Sequence, residues 1–164
     1  RSINSRRVRR ENVGVNINVQ SYPPSGETWR GGGFRREHRA FFERMVGKKY
    51  RVPGFLATSI HREMAAAFAF KTSMANASLR CAIWRITFDP RGKEHPQYRV
   101  KHMTLVSKTL IMGEHEYLFA PYSVFTLVSV TWSEQDLINP HEFAIKAARD
   151  NKEEDECLPL TPWY

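Results

Sequence analysis

Glu114 and Glu116 form a pair of carboxylates whose spacing could do chemistry, directly before an apolar run that begins at Tyr117. On an extended chain, residues two positions apart point to the same face, so the two negative charges repel each other. A functional site can use such a pair with divided roles: one carboxylate stabilises positive charge that develops on a sugar carbon, and the other orients an incoming nucleophile. The alternative is an exposed polar face at the start of a strand. His115 points to the opposite face, which favours a structural position over a catalytic one.

Arg30 and Gly31 are the second candidate group, at the end of a short strand predicted over 27–30. A guanidinium can bind phosphate oxygens through two parallel hydrogen bonds, and a glycine lets a ligand approach the backbone closely. The alternative is an arginine that only stabilises the structure. The glycine tract at 31–33 lacks the Gly-Lys-Ser or Gly-Lys-Thr of a nucleotide-binding P-loop, so that motif is excluded.

Thr58 and Ser59 form the third group, where the apolar segment 55–59 meets a helix predicted over 61–71. Hydroxyl residues in this position most often cap a helix by accepting hydrogen bonds from its first N–H groups. Phe68 lies on the predicted helix, and an aromatic residue at such a spacing packs in a core more often than it supports a ligand. Neither feature defines a site by itself.

The elements that must position these groups are mostly strands. Alternating β-branched residues predict an early strand over 13–22, and the aromatic-rich segment 79–88 is predicted as the central strand. Further strands are predicted at 27–30, 55–59, 100–106 and 109–112, and as two strands broken at Pro121 within 116–132. Helices are predicted at 35–46, 61–71 and 141–149, and the apolar tail 158–164 is expected to pack on the body. Many strands with few helices favour an α+β fold over a regular βαβ alternation.

Length and composition fit one globular domain. With 164 residues, 41% of them hydrophobic and 26% charged, the chain is too apolar to be disordered, and its apolar stretches are too short or interrupted to cross a bilayer. We therefore expect no membrane partner. The net charge of +8 is concentrated in residues 1–51, where four arginines lie between Arg6 and Arg10. This predicts a basic segment over 1–26 that leads into a single domain over 27–164.

The arginine run could bind nucleic acid through the phosphates. No aromatic residue is interleaved with the run to stack on bases, so a solvated segment is favoured. Cys81 and Cys157 lie far apart and have no Cys-x-x-Cys neighbour, which predicts buried thiols without a redox or metal role in a reducing compartment. The histidines show no metal-ligand spacing, so no metal is expected. No charged-then-apolar leader follows Arg1, and a cytoplasmic location and secretion as an effector both stay open.

In their joint order, the three groups resemble the R-S-E class of mono-ADP-ribosyltransferases, which includes the clostridial binary toxins and the vertebrate arginine-specific enzymes. Members show an arginine followed by glycine, then aromatic-x-Ser-Thr-Ser on a strand, then Glu-x-Glu ahead of an apolar strand. The matching segments are Arg30-Gly31, Phe55-Leu56-Ala57-Thr58-Ser59 and Glu114-His115-Glu116. The likeness covers residues 27–130 and implies a split β-sandwich core with a few flanking helices.

The resemblance implies an NAD-dependent enzyme that transfers ADP-ribose to an arginine side chain of a target protein and releases nicotinamide. NAD would be the substrate, and no metal would be needed. Glu116 would be the catalytic carboxylate, which binds the 2′-hydroxyl of the nicotinamide ribose and favours an oxocarbenium-like state. Glu114 would orient the attacking guanidinium, beside a substrate-recognition loop over 107–113. Arg30 would bind the NAD phosphates and ribose.

The resemblance also implies an NAD-binding surface beyond these residues. Gly31 would hydrogen-bond the nicotinamide amide through its backbone, Phe68 would lie on the nicotinamide ring, and Thr58 and Ser59 would contact the cofactor. One position departs from the class, because Ala57 replaces the first serine of Ser-Thr-Ser. The missing hydroxyl would weaken catalysis by about tenfold to a hundredfold unless Thr58 or Ser59 compensates.

Two other functions stay open at this point. An NAD glycohydrolase would use the same catalytic carboxylate, with water in place of the arginine acceptor. A non-catalytic module would bind NAD through a degenerate site, or nucleic acid through the basic N-terminal segment.

Overall fold

The computed structural model describes residues 22–106 and 116–162. Within these residues the chain forms eight β-strands and two α-helices. The strands are β1 (Glu27–Phe34), β2 (Lys49–Val52), β3 (Leu56–Ser59), β4 (Arg80–Thr87), β5 (Met103–Val106), β6 (Glu116–Phe119), β7 (Ser123–Thr131) and β8 (His141–Ala147); the helices are α1 (Arg39–Met45) and α2 (Arg62–Ala75). Neither of these helices is long and apolar enough to cross a membrane. The arginine run, the strand predicted at 109–112 and all but the last residue of the strand predicted at 13–22 lie outside the described residues.

The described strands are hydrogen-bonded into one mixed sheet in the order β2-β7-β8-β4-β1-β3-β6-β5. β4 and β8 run parallel, and the other neighbouring pairs run antiparallel. β4 corresponds to the strand predicted over 79–88 and lies fourth in the order, so its central position is confirmed. A strand-rich sheet with two short helices agrees with the predicted α+β class, and the split β-sandwich stays a prediction.

The sheet has a weak junction between β1 and β3. β1 pairs with β4 along its whole length, from Glu27 to Phe34, but it pairs with β3 only through Trp29 and Ser59. Two groups of strands, β2-β7-β8-β4-β1 and β3-β6-β5, therefore meet at a single register pair. Next to this pair, the guanidinium Nη1 of Arg30 donates a hydrogen bond of 3.2 Å to the carbonyl oxygen of Ala57.

β1 continues through the glycine tract to Phe34, so the strand predicted over 27–30 was too short. Helix α2 packs directly on this tract. A Cβ atom added at Gly31 would lie 1.7 Å from the carbonyl oxygen of Ala65. The missing side chain at Gly31 therefore sets how closely α2 approaches the sheet. The helix also ends at Ala75, beyond the predicted end at residue 71.

The helix predicted over 141–149 was wrong, because this segment forms strand β8. Its side chains alternate between the two faces, as a strand requires. The buried positions are His141, Phe143, Ile145 and Ala147, and the exposed positions are Glu142 and Lys146. β8 lies between β4 and β7, so both edges of its backbone are paired, and this long-range pairing outweighs the local propensities of the segment.

The C-terminal tail packs on the body of the protein, as predicted, over its described part up to residue 162. The backbone N–H of Arg51 on β2 donates to Pro159 at 2.9 Å, and the Arg51 carbonyl accepts from Thr161 at 2.9 Å. The Arg51 guanidinium donates to the carbonyl oxygen of Asp155 at 2.8 Å. Because β2 is at the end of the strand order, the tail covers an edge that would otherwise be open.

The two cysteines differ in their surroundings. Cys81 is buried on β4, as the sequence predicted. Its sulfur lies 3.0 Å from the hydroxyl oxygen of Ser73. Cys157 is exposed, so the prediction of burial was wrong for this residue, which lies in a surface segment of the C-terminal tail. Both thiols are free.

His141 and Asp136 form a buried polar pair beside the aromatic core. His141 Nε2 lies 3.2 Å from Asp136 Oδ2, and His141 Nδ1 accepts a hydrogen bond of 3.0 Å from the Ser133 N–H. Since Nδ1 is an acceptor, the neutral ring carries its proton on Nε2 and donates it to Asp136. Burial lowers the pKa of His141 below its ordinary value, although the Asp136 carboxylate opposes the effect.

We expect the free energy of unfolding to fall as the pH drops below about 6.5, because the unfolded chain then binds a proton that folded His141 resists. Urea unfolding at a series of pH values between about 5 and 7.5 would measure this slope. His141→Gln is expected to reduce the slope, whereas His95→Gln, at an exposed position, should leave it unchanged. An unaltered slope in His141→Gln would show that another group is responsible.

Candidate active site

A cavity of about 290 Å³ opens where the two groups of strands meet, between β1, α2 and the β3–β6 pair. Its lining includes residues from all three groups that the sequence singled out. They are Trp29, Arg30, Gly31, Ala57, Thr58, Ser59, Met64, Ala65, Phe68 and Glu116. The fold thus brings together residues that are far apart in the sequence, and six of the seven predicted site residues border one cavity.

Glu116 begins β6 and lies directly opposite Ser59 of β3. In an antiparallel pair, opposite residues have their side chains on the same face, with Cβ atoms about 4.5–5.5 Å apart. The Ser59 and Glu116 side chains therefore share one face of the sheet as neighbours across β3 and β6. Ser59 Oγ accepts a hydrogen bond of 3.1 Å from the His61 N–H, which leaves the hydroxyl proton available for a second partner.

Thr58 points to the other face of β3. Its hydroxyl is buried and donates a hydrogen bond of 2.9 Å to the carbonyl oxygen of Tyr117, so it stabilises the pairing of β3 with β6. Ala57 shares the cavity face with Ser59 because residues two apart on a strand point the same way. Ser59 is therefore the hydroxyl of this segment that is best placed toward Glu116.

Phe68 borders the cavity from helix α2 and is 56% exposed. The helical spacing favoured a core position for this ring, and that prediction was wrong because Phe68 is exposed. Phe70 is also exposed, but it is outside the cavity lining. An exposed ring at the edge of a cavity is free to stack on a planar ligand.

Four of the ten lining residues were not predicted as site residues: Trp29, Ala57, Met64 and Ala65. Trp29 could have been found, because it lies two residues before Gly31 and shares its face of β1. Met64 lies one helical turn before Phe68 and shares its side of α2 in the same way. Glu114 and the predicted substrate loop over 107–113 lie outside the described residues.

The arrangement can bind a ligand that carries an anionic group at one end and develops positive charge at a reacting carbon at the other. Arg30 lines the cavity from β1, with its guanidinium bound to the Ala57 carbonyl, while Phe68 lines it from α2 and Glu116 from the start of β6. A carboxylate placed in advance beside a reacting carbon stabilises positive charge there without reorganisation. Among residues 22–106 and 116–162, no group of His, Cys, Asp or Glu is arranged to hold a metal ion.

Comparison with solved structures shows an ADP-ribosyltransferase fold. The Vis toxin, an ADP-ribosyltransferase from Vibrio splendidus, aligns with a TM-score of 0.53 and 17% identity over 75% of this chain and 48% of the Vis chain. A second Vis structure, in complex with agmatine, aligns with a TM-score of 0.54 and 17% identity over 75% of this chain and 49% of the other. This chain thus spans about half the length of the Vis chains it matches. No protein-family model and no curated protein matches it by sequence.

Proposed function

We propose that this protein is an NAD-dependent mono-ADP-ribosyltransferase that modifies an arginine side chain of a target protein. One observation carries the proposal: Arg30, Phe68 and Glu116, from three separate elements, border one cavity of a chain with an ADP-ribosyltransferase fold. NAD matches this set chemically, because it has a pyrophosphate for the guanidinium, an aromatic nicotinamide for the ring and a ribose whose C1′ becomes cationic.

In the proposed reaction, the bond between ribose C1′ and the nicotinamide nitrogen breaks, and nicotinamide leaves with the electron pair. Glu116 binds the 2′-hydroxyl and stabilises the oxocarbenium-like state. A guanidinium nitrogen of the acceptor then forms a bond to C1′ and loses a proton. Glu114 orients this guanidinium, and Gly31 binds the nicotinamide amide through its backbone.

Arginine as the acceptor is supported by two observations. The first is the Glu114-His115-Glu116 sequence, since members of the resembling class with glutamate at the first position favour arginine. The second is the Vis structure with agmatine, a small guanidinium compound, although this observation belongs to Vis. A guanidinium is also the natural partner of a carboxylate such as Glu114, because the pair can form two parallel hydrogen bonds.

Ser59 compensates for the serine that is missing at position 57. The Thr58 hydroxyl is bound to the Tyr117 carbonyl, whereas Ser59 is opposite Glu116 in the strand register. A hydrogen bond from Ser59 to Glu116 would position the carboxylate that the first serine of the class normally steadies. A serine in position to support Glu116 favours an active enzyme over a degenerate NAD-binding domain.

Phe68→Ala is expected to raise the KM for NAD by about tenfold, because stacking on an aromatic ring contributes on the order of 1–3 kcal/mol. Phe70→Ala is the matched control, since Phe70 is an exposed aromatic on the same helix outside the cavity. Steady-state kinetics of nicotinamide release would compare the two variants. Equal effects would contradict a specific role for the Phe68 ring.

The proposal is tested by incubating the protein with NAD and agmatine and identifying the products by mass spectrometry. ADP-ribosylated agmatine is expected for an arginine-specific transferase. Free ADP-ribose alone would identify an NAD glycohydrolase. If neither product forms, the non-catalytic alternative gains support, and salt-dependent binding of DNA or RNA would then point to the basic N-terminal segment.

A further inference from the structure

A second cavity, of about 240 Å³, opens on the other group of strands and shares no lining residue with the candidate active site. Its lining comes from strands β2, β7 and β8, from the segment between β4 and β5, and from the segment that follows β8. The residues that matter here are Lys49, Asp89, Tyr98, Thr126, Lys146 and Glu154. Nothing in the proposed reaction uses this cavity.

A row of three polar residues forms one side of this cavity. Thr126 of β7 is in register with Lys49 of β2 on one side and with Lys146 of β8 on the other. Directly opposite residues in neighbouring antiparallel strands share a face, and the strands are about 4.8 Å apart. Two lysines therefore flank one hydroxyl across three adjacent strands, all on the same face of the sheet.

Each of the two carboxylates of the cavity is already paired with a cation, and the side chain of the cation is more exposed than that of the carboxylate. Glu154 is paired with Lys49 at 2.8 Å, and its side chain is 18% exposed against 48% for the lysine. Asp89 is paired with Arg91 at 2.6 Å, and its side chain is 23% exposed against 61% for the arginine. In each pair the cation is therefore the member that is more accessible to solvent.

Lys146 is the lysine of this cavity that is outside any ion pair among the described residues. It makes no hydrogen bond or salt bridge with the residues that the structure describes, and the nearby Asp89 carboxylate is bound by Arg91 through both side-chain oxygens. By contrast, Arg149 donates to the Gln97 carbonyl oxygen at 3.1 Å and is paired with Glu153. Asp89 acts on Lys146 only through its charge, so the ammonium group keeps its hydrogen-bond donors for an anion from solution.

We infer that this cavity binds the phosphate group of a small phosphomonoester. Lys146 supplies a positive charge that no ion pair among the described residues holds, and the Thr126 and Tyr98 hydroxyls supply donors in the same cavity. The Arg91 guanidinium, which is already paired with Asp89, lies 3.9 Å from the centroid of the Tyr98 ring and holds that ring in place. Val100, Ala147 and Ala148 also line the cavity and would contact the organic part of the ligand. The inference is independent of the proposed transferase activity.

Calorimetric titration with inorganic phosphate and with ribose 5-phosphate would test this inference, with ribose as the uncharged control. The unaltered protein is expected to bind both phosphates and not ribose. Lys146→Met keeps most of the side-chain volume and should weaken binding by about tenfold to a hundredfold, the usual contribution of a charge-assisted hydrogen bond. Lys146→Arg keeps the charge and should bind within a few-fold of the unaltered protein.

Arg30→Met distinguishes this cavity from the candidate active site, because Arg30 is the expected phosphate ligand there. The inference predicts that phosphate binding survives in Arg30→Met and is lost in Lys146→Met. It is overturned if the unaltered protein binds neither phosphate, if Lys146→Met binds as the unaltered protein does, or if only Arg30→Met loses binding. Thermal unfolding of each variant without ligand shows whether its fold is intact.

Discussion

Glu116→Gln is expected to slow nicotinamide release by about a hundredfold to a thousandfold. The substitution keeps the shape of the side chain and removes the negative charge that, in the proposed reaction, stabilises the oxocarbenium-like state; preplaced electrostatic groups contribute effects of this size. NAD binding should change much less, because Arg30 and Phe68 remain in the cavity. Steady-state kinetics gives the rate, and calorimetry gives the affinity for NAD.

Glu63→Gln is the matched control for this substitution. Glu63 is an exposed carboxylate in the first turn of α2 and is not among the residues that line the cavity. We expect Glu63→Gln to release nicotinamide at the same rate as the unaltered protein. If Glu116→Gln and Glu63→Gln were both fully active, the carboxylate at the start of β6 would have no part in the chemistry.

Gly31→Ala is expected to lower the free energy of unfolding by roughly 2–3 kcal/mol, the upper part of the usual range for overpacking. The added Cβ atom would lie 1.7 Å from the Ala65 carbonyl oxygen, and a helix backbone cannot rotate away as a flexible side chain can. Helix α2 must therefore shift from β1. Because Phe68 is on this helix, NAD turnover should fall as well. Urea unfolding at neutral pH measures the stability change.

Gly33→Ala is the comparison that isolates this effect, since it lies two residues later on the same strand. An added Cβ atom at Gly33 would meet the side chain of Leu79, with its nearest atom, Cδ1, at 2.6 Å. A leucine side chain can change rotamer, so a smaller loss of stability is expected. If Gly31→Ala were as stable as the unaltered protein, the close packing of α2 on the glycine tract would be refuted.

Local patterns were sufficient to predict the strand β4 and the strand-turn-helix from β3 to α2. In both segments the apolar periodicity and the turn residues agree with the final structure. The same patterns were not sufficient at β8, where Glu142, Ala144 and Lys146 read as helix formers. Pairing with β4 and β7 decides the structure of that segment, and a local window contains no information on such partners.

Resemblance to a family located most of the candidate site, because Arg30, Ser59 and Glu116 follow one another in a specific order. Which other side chains face these three residues depends on the register of the strands. Which hydroxyl faces the carboxylate is decided by the pairing of Ser59 with Glu116 and by the hydrogen bond of Thr58 to Tyr117. Neither follows from the spacing of the residues in the sequence, which is why Thr58 and Ser59 were indistinguishable there.

The most direct test is to incubate the protein with NAD and cell-lysate proteins and to follow nicotinamide release and ADP-ribose on arginine by mass spectrometry, beside Glu116→Gln. We predict that nicotinamide is released, that arginine residues of one or a few lysate proteins carry ADP-ribose, and that both signals disappear in Glu116→Gln. Release without any labelled protein would contradict transfer to the proteins of this lysate and indicate either hydrolysis of NAD or a lysate without the target. The absence of release from the unaltered protein would contradict the proposed enzyme altogether.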